Sequence, residues 1–364
     1  MRLVIILLAL FCLLLSSAGA EPFKQALPGY SYEFPRDDFS HDEFRIEWWY
    51  YTGNLKDEKD RFFGYQLTFF RIGLEEPVNN PSSWKIDHLY FAHMTVSDIN
   101  GKNFHFFERI NRRGIKNAGA ASNQLHVWNE DWSLTSEEDT HHLQAIEQGT
   151  GLALKLTPIK NRVLHGKEGI SKKGSGSGNA SHYFSFPRME TTGQVFLKGE
   201  SIPVKGTSWM DHEFSSNQLN DNLVGWDWFS IKLSNQTELM LYQLRDKNGG
   251  KDQHSSGTLI SPDGKSRHIL SEEFSIIPKK FWISPHTKTT YPASWTLTLT
   301  EGILNVTPDF QDQELYNLRS ISGSYWEGSV SIKGTLQGKQ VSGKGYVELV
   351  GYEKPLKQDD ALRK

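Results

Sequence analysis

The sequence predicts an all-β protein made of two similar antiparallel β-barrels packed together, and three observations carry that prediction. Aromatic residues are abundant, with 11 Trp and 21 Phe in 364 residues, yet the mean hydropathy is −0.53. Short runs alternate apolar and polar residues along most of the chain, whereas helical periodicity is scarce. Turn-forming clusters separate these runs at roughly 8–12-residue spacing, which suits barrels and sandwiches rather than a βαβ fold.

Taken in order, the chain opens MRLVIILLALFCLLLSSAGA. An arginine, an apolar run and Ala18-Gly19-Ala20 read as a signal peptide over 1–20, cut before Glu21. The apolar core from Leu3 to Leu15 is too short to span a bilayer comfortably, so no membrane anchor is expected after cleavage. The expected protein is exported, periplasmic or secreted. Cys12, the single cysteine, falls in the leader, so the mature chain relies on packed cores and not on disulfides. A net charge of −3 with no Lys/Arg cluster argues against nucleic acid as a partner.

The first domain is expected over 36–215, from runs such as "FRIEWWYYTGNL", "RFFGYQLTFFRI" and "HLYFAHMTVSDI". Composition turns polar at "SSNQLNDNLV", which marks the boundary to a second domain over 216–355, with "WDWFSIKL", "ELMLYQLR", "SWTLTLT" and "GYVELVGY" as its strands. A charged tail over 356–364 closes the chain. The stretch 166–180, "GKEGISKKGSGSGNA", has no period and is expected to be a flexible loop or lid. It contains a G-x-S-x-G string, but no strand before it or helix after it makes a nucleophile elbow.

Three stretches could carry chemistry. In "EFRIEWWYYTGNL", a strand puts Glu47, Trp49 and Tyr51 on one face, either as core with Glu47 paired to a cation such as Arg71, or as a pocket lining. In "SHYFSFPR", His182 and Phe184 share a face. In "GTSWMDHEF", Trp209, Asp211 and Glu213 share a face, with the two carboxyls about 5–7 Å apart given a rise of roughly 3.3 Å per residue. Trp226 and Trp228 follow closely, so an acid among these indoles would lose hydration and tend to stay protonated. His88 and His93 face opposite ways, His141 and His142 split across faces and are expected in solvent, and no trio with metal-ligand spacing stands out. Neither a metal nor a cofactor is expected.

Seven ordered motifs add a resemblance. "EWWYYTGNL", "FGYQLTFFR", "WMDHEF", "GWDWFSIKL…ELMLYQLR", "YPASW", "YWEG" and "GYVELVGY" resemble the carotenoid 1,2-hydratase (hydroxyneurosporene synthase) superfamily, over about residues 40–353. The likeness is closer to its AttH-type branch, the "predicted secreted hydrolases". The resemblance implies two lipocalin-like barrels and a suspected site built from a His-x-Trp pair and a Tyr-x-Asp pair. His182 and Asp211 match that pattern in type, while Phe184 and Trp209 stand where Trp and Tyr would be. It implies a hydratase chemistry in which Asp211 protonates an alkene, Trp209 stabilises the cation and His182 takes the proton of water or holds Asp211.

The sequence thus supports an exported protein that binds an apolar small molecule, lipid or isoprenoid-like, through Trp49, Tyr51, Phe184, Glu213, Trp226 and Trp228, with hydration through Asp211. One alternative is a binding protein without turnover, serving an envelope transport system. Another is a glycosidase that pairs Asp211 with Glu213 over Trp platforms.

Overall fold

The structure is a computed structural model that describes residues 23–74, 86–114, 117–217 and 222–355. The expected leader over 1–20 and tail over 356–364 lie outside the described residues. Among the described residues there is no α-helix, only two single-turn 3-10 segments, and the chain forms two antiparallel sheets.

The first sheet is built from β1 (Ile46–Lys56), β2 (Phe62–Gly73), β3 (His88–Asp98), β4 (Asn103–Arg112), β5 (Ala118–Ala120), β6 (His126–Asn129) and β7 (Trp132–Glu137). It continues with β8 (Thr140–Glu147), β9 (Thr150–Pro158), β10 (Val163–Leu164), β11 (Ile170–Lys172), β12 (Ala180–Leu197) and β13 (Glu200–Ser215). Its order is β4-β3-β2-β1-β13-β12-β9-β8-β7-β6-β5, with β10 and β11 also paired to β12. The ends curl together into a nearly closed barrel. Side chains finish the closure: Arg109 on β4 reaches the Asn129 carbonyl on β6 at 3.1 Å and lies 4.5 Å over the Trp132 ring, and Asn111 donates to Asn129 Oδ1 at 2.7 Å.

The second sheet holds β14 (Leu223–Leu233), β15 (Glu238–Asp246), β16 (Ser256–Ile260), β17 (Ser266–Ile269), β18 (Phe274–Ile283), β19 (Thr290–Leu299), β20 (Gly302–Pro308), β21 (Glu314–Leu315), β22 (Tyr325–Leu336) and β23 (Lys339–Val350). Its order is β17-β16-β15-β14-β23-β22-β20-β19-β18, with β21 on β22. The all-β expectation holds, but this half is an open half-barrel, not a second closed one. Its end strands do not pair; Arg267 on β17 instead bridges Glu273, just before β18, and Glu301.

Each sheet keeps its own apolar interior. Trp49, Tyr51, Leu67, Phe69, Phe186 and Met210 fill the first, and Phe229, Ile231, Leu241, Trp295, Leu304 and Val347 fill the second. Each such side chain contributes about 1.5–3 kcal/mol by leaving water. The two-residue alternation then turns Tyr50, Tyr183 and Trp209 outward, where they meet Trp228, Met240, Tyr242 and Tyr346 of the second sheet. The candidate site lies in this third layer.

The stretch expected as a free loop is pinned into it. Ile170–Lys172 forms β11, Ser171 Oγ meets the Tyr242 hydroxyl at 2.9 Å, and the Lys173 ammonium pairs with Glu213 at 3.3 Å. A buried ion pair and a cross-sheet hydrogen bond outweigh the local preference for disorder.

Candidate functional site between the two sheets

Register decides what faces the layer. On β13, Asp211 lies between Tyr50 of β1 and Ser185 of β12, and directly opposite residues of antiparallel strands share a face. Trp209, Asp211, Glu213, Tyr50, Tyr183 and Ser185 therefore look toward the second sheet. On the other wall, Trp228, Glu348 and Glu327 stand side by side across β14, β23 and β22. The walls are joined by polar contacts: Tyr50 donates to Glu327 Oε1 at 2.7 Å, and the Trp228 indole donates to the Tyr183 hydroxyl at 3.1 Å. His93 adds bonds of 2.7 Å to both Tyr325 and Ser320.

Asp211 is 3% exposed. Its Oδ2 accepts from Tyr183 at 2.9 Å, and its Oδ1 accepts from the Trp209 indole at 2.6 Å and from Ser185. Burial pushes the carboxyl up to about 7, even though these three donors pull it down, and the Glu213 charge adds to the rise. Near neutral pH Asp211 therefore holds both forms in quantity, which suits a group that gives and takes a proton. Ser185 extends the contact to His165 Nε2 at 2.6 Å, and His165 Nδ1 meets Thr258 of the second sheet at 2.8 Å. Burial pushes His165 down to about 3, so that ring is neutral.

The opposite wall is acidic too. Burial raises Glu348 to about 7, against the pull of the Trp226 indole, which donates to it at 2.6 Å. Burial and the neighbouring Glu348 lift Glu327 well above the usual carboxylate range. Glu213 differs: it accepts from Ser181 and pairs with Lys173, so it is committed to structure and lends a paired-acid glycosidase no support.

His182 is placed elsewhere. It pairs in register with Phe214, on the face that looks into the first barrel, while Asp211 looks out. The expectation that His182 holds Asp211 or serves it as a base is corrected by this geometry: the adjacent residue, Tyr183, holds the acid. His182 packs 4.2 Å from the Tyr30 ring and 5.0 Å from the Phe214 ring, and burial pushes it down to about 4, leaving it neutral. Trp49, Tyr51 and Phe184 also point into the barrel. Trp49 donates to the Asp38 carbonyl at 3.0 Å, Tyr51 meets His141 Nδ1 at 2.8 Å, and Phe184 packs edge-on against Phe34 at 5.0 Å. His141, expected in solvent, is thus buried in the core. Trp226 and Trp228 are brought to Asp211's layer, as Trp209 and Glu213 are.

Among the described residues the structure assembles one trio that spacing alone did not reveal: His41, Glu47 and His212. Glu47 Oε1 lies 2.8 Å from His41 Nδ1 and 2.9 Å from His212 Nε2, and Arg71 Nε donates to Oε2 at 2.9 Å. Nitrogen and oxygen ligands of a common tetrahedral ion would sit roughly 3.3 Å or more apart, so these are hydrogen bonds rather than a metal cradle. The pairing of Glu47 with Arg71 is as the sequence suggested.

A cavity of about 510 Å³ opens at the rim of the layer, lined in part by Ile170, Lys172, Ser256 and His268. Behind it, Ser256 donates to the Tyr242 hydroxyl at 2.9 Å, and Lys173 sits 4.1 Å over the Tyr242 ring. The cavity is therefore one hydroxyl away from the side chains that contact Glu213.

An AttH-like family model matches residues 25–352. The chain belongs to the AttH-like family. A crystal structure of AttH from Nitrosomonas europaea is 34% identical and covers 91% of this AttH-like chain and 100% of its own, with a TM-score of 0.83. Kievitone hydratase from Nectria haematococca shares the fold at 17% identity, with a TM-score of 0.70 over 92% of this chain and 98% of that one. In sequence, the kievitone hydratase of Fusarium solani subsp. phaseoli is 26% identical over 190 residues, 50% of this chain and 53% of that protein. The AttH-like chain thus spans about half the length of the curated relative it matches.

Proposed function

We propose that this AttH-like protein takes an apolar small molecule between its two sheets and adds water across a carbon–carbon double bond in it. The observation that carries the reading is Asp211: a carboxyl buried under a second sheet, between indoles, that titrates near neutrality. Its proton goes to an alkene carbon, leaving a cation and a carboxylate held by Tyr183, Ser185 and Trp209. Water adds to the cation and returns one proton to Asp211, so the sum is alkene plus water to alcohol. The faces of Trp209 and Trp228, whose rings meet edge-on at 6.4 Å, suit the cation, each contributing about 2 kcal/mol when desolvated.

Export, proposed from the leader over 1–20, would be tested by N-terminal sequencing of the protein recovered from cells.

Native mass spectrometry of wild type and Asp211→Asn, both purified from their own envelope, tests the reaction. A bound apolar molecule that is one water heavier in the wild type than in the variant is the expected result. The same form in both proteins would leave ligand binding without turnover, the second reading, which the closed packing around Asp211 also suits.

A further inference from the structure

Further along β14, the charges of the layer do not balance. Glu238 is fully buried and accepts from two cations, Lys160 Nζ and Arg188 Nε, each at 2.5 Å. Both cations have other acceptors: Lys160 reaches the carbonyls of Gln236 at 2.6 Å and Ser261 at 2.9 Å, and Arg188 that of Leu233 at 3.0 Å. Lys232 stands directly across from Glu238 in the β14–β15 register and is 4% exposed. Among the described residues its Nζ has no hydrogen-bond partner, and neither has the Oγ of buried Ser230, two residues back on the same face. Two cations thus occupy the Glu238 carboxylate, while two further donors, Lys232 Nζ and Ser230 Oγ, are left over. A buried surplus cation is costly unless an anion joins it or it gives up its proton. Burial, with Arg188 adding to it, pushes Lys232 down to about 7, as expected of an amine short of negative charge.

We propose that Lys232 and Ser230, beside Arg188, form an anion subsite that takes the carboxylate of an amphipathic ligand. Trp228 and Lys232 lie on one face of β14, four residues apart, which is roughly 13 Å along a strand. A medium-chain acyl group spans that distance. Its head would sit at Lys232 and its body along Trp228, toward Asp211. The placement of the body rests on the functional reading above; the subsite itself does not.

Titration of the layer's tryptophan fluorescence with dodecanoate and with dodecanol, on the full chain, tests this. Wild type is expected to bind dodecanoate about tenfold or more tightly than dodecanol, the scale of a charge-assisted hydrogen bond. Lys232→Met should abolish that preference and leave dodecanol binding in place, whereas Lys232→Arg should keep it. Equal binding of the two by wild type, binding of neither, or an undiminished preference in Lys232→Met would overturn the proposal. Should Lys232→Met fail to fold, Ser230→Val carries the same reading: a weakened preference supports the subsite and an unchanged one overturns it. A carboxylate preference in a protein whose Asp211→Asn variant hydrates no differently would keep the subsite and remove the hydratase. Hydration without the preference would do the reverse.

Discussion

The Tyr183 hydroxyl donates to Oδ2 of Asp211 at 2.9 Å while accepting from the Trp228 indole at 3.1 Å, so one phenol ties both sheets to the buried acid. Removing it should act on the acid and on the join together. Tyr183→Phe leaves the Trp228 N–H unpaired and Asp211 with one donor fewer, at a cost of about 1–3 kcal/mol in urea denaturation. With a donor lost, the Asp211 carboxyl should titrate higher, and the alkaline limb of the pH–rate profile should move up with it.

Asp211 also predicts a pH dependence of stability. Its folded value of about 7 lies above the ordinary 3.8, so the folded state holds a proton that the unfolded state has lost. Stability contributed by this group is complete below about pH 4, falls as pH rises toward 7, and then levels. Three units correspond to about 4 kcal/mol. Asp211→Asn lacks the titration, so wild type should lose ground to it across that window in denaturation series. Activity should fall above about pH 7 as the donor form disappears.

Glu47 is expected to be structural. It is fully buried and holds Arg71, His41 and His212. Glu47→Ala would strand the Arg71 guanidinium in the core, and a loss of about 3–5 kcal/mol is expected by chemical denaturation. Retention of wild-type stability would refute the network's role.

His182→Phe should be tolerated. The ring is neutral, packed among Tyr30, Phe44 and Phe214, and its Nδ1 has no hydrogen-bond partner among the described residues. Turnover is expected within about twofold of wild type, whereas an acid–base role would predict a loss of roughly 10²–10⁴. Steady-state rates decide between them.

Gly151, the second residue of β9, has a φ of +155°, and a Cβ there would strike the carbonyl oxygen of Ala145. Since backbone cannot step aside as a side chain can, Gly151→Ala should cost about 1–3 kcal/mol by thermal melt.

Much of the fold was legible in the sequence because alternation, aromatics and turn clusters report strands directly. The site was legible only in part. Trp209, Asp211 and Glu213 could be placed on one face, but Met210, His212 and Phe214 are equally buried, so periodicity could not say which face met the second sheet. His182 and Asp211 sit on paired strands, and the register that sends them apart is a tertiary property that slips by one residue without any change in pattern. Tyr183 carries no signal in the sequence that sets it apart from its neighbours His182 and Phe184. Glu327 was visible within "YWEG", yet only its approach to Tyr50 across the layer marks it as part of the site. The second sheet stays open because closure depends on how far it curls, which no local signal encodes.

The two sheets each keep an oily interior, while hydroxyls, carboxyls and amines share the seam between them with indole and phenol rings. Parting the seam would wet Trp209, Trp228 and Met240 along with these polar groups, yet would leave both interiors dry. Admission of a guest to Asp211 therefore competes with the burial of this middle layer and not with the packing of either interior.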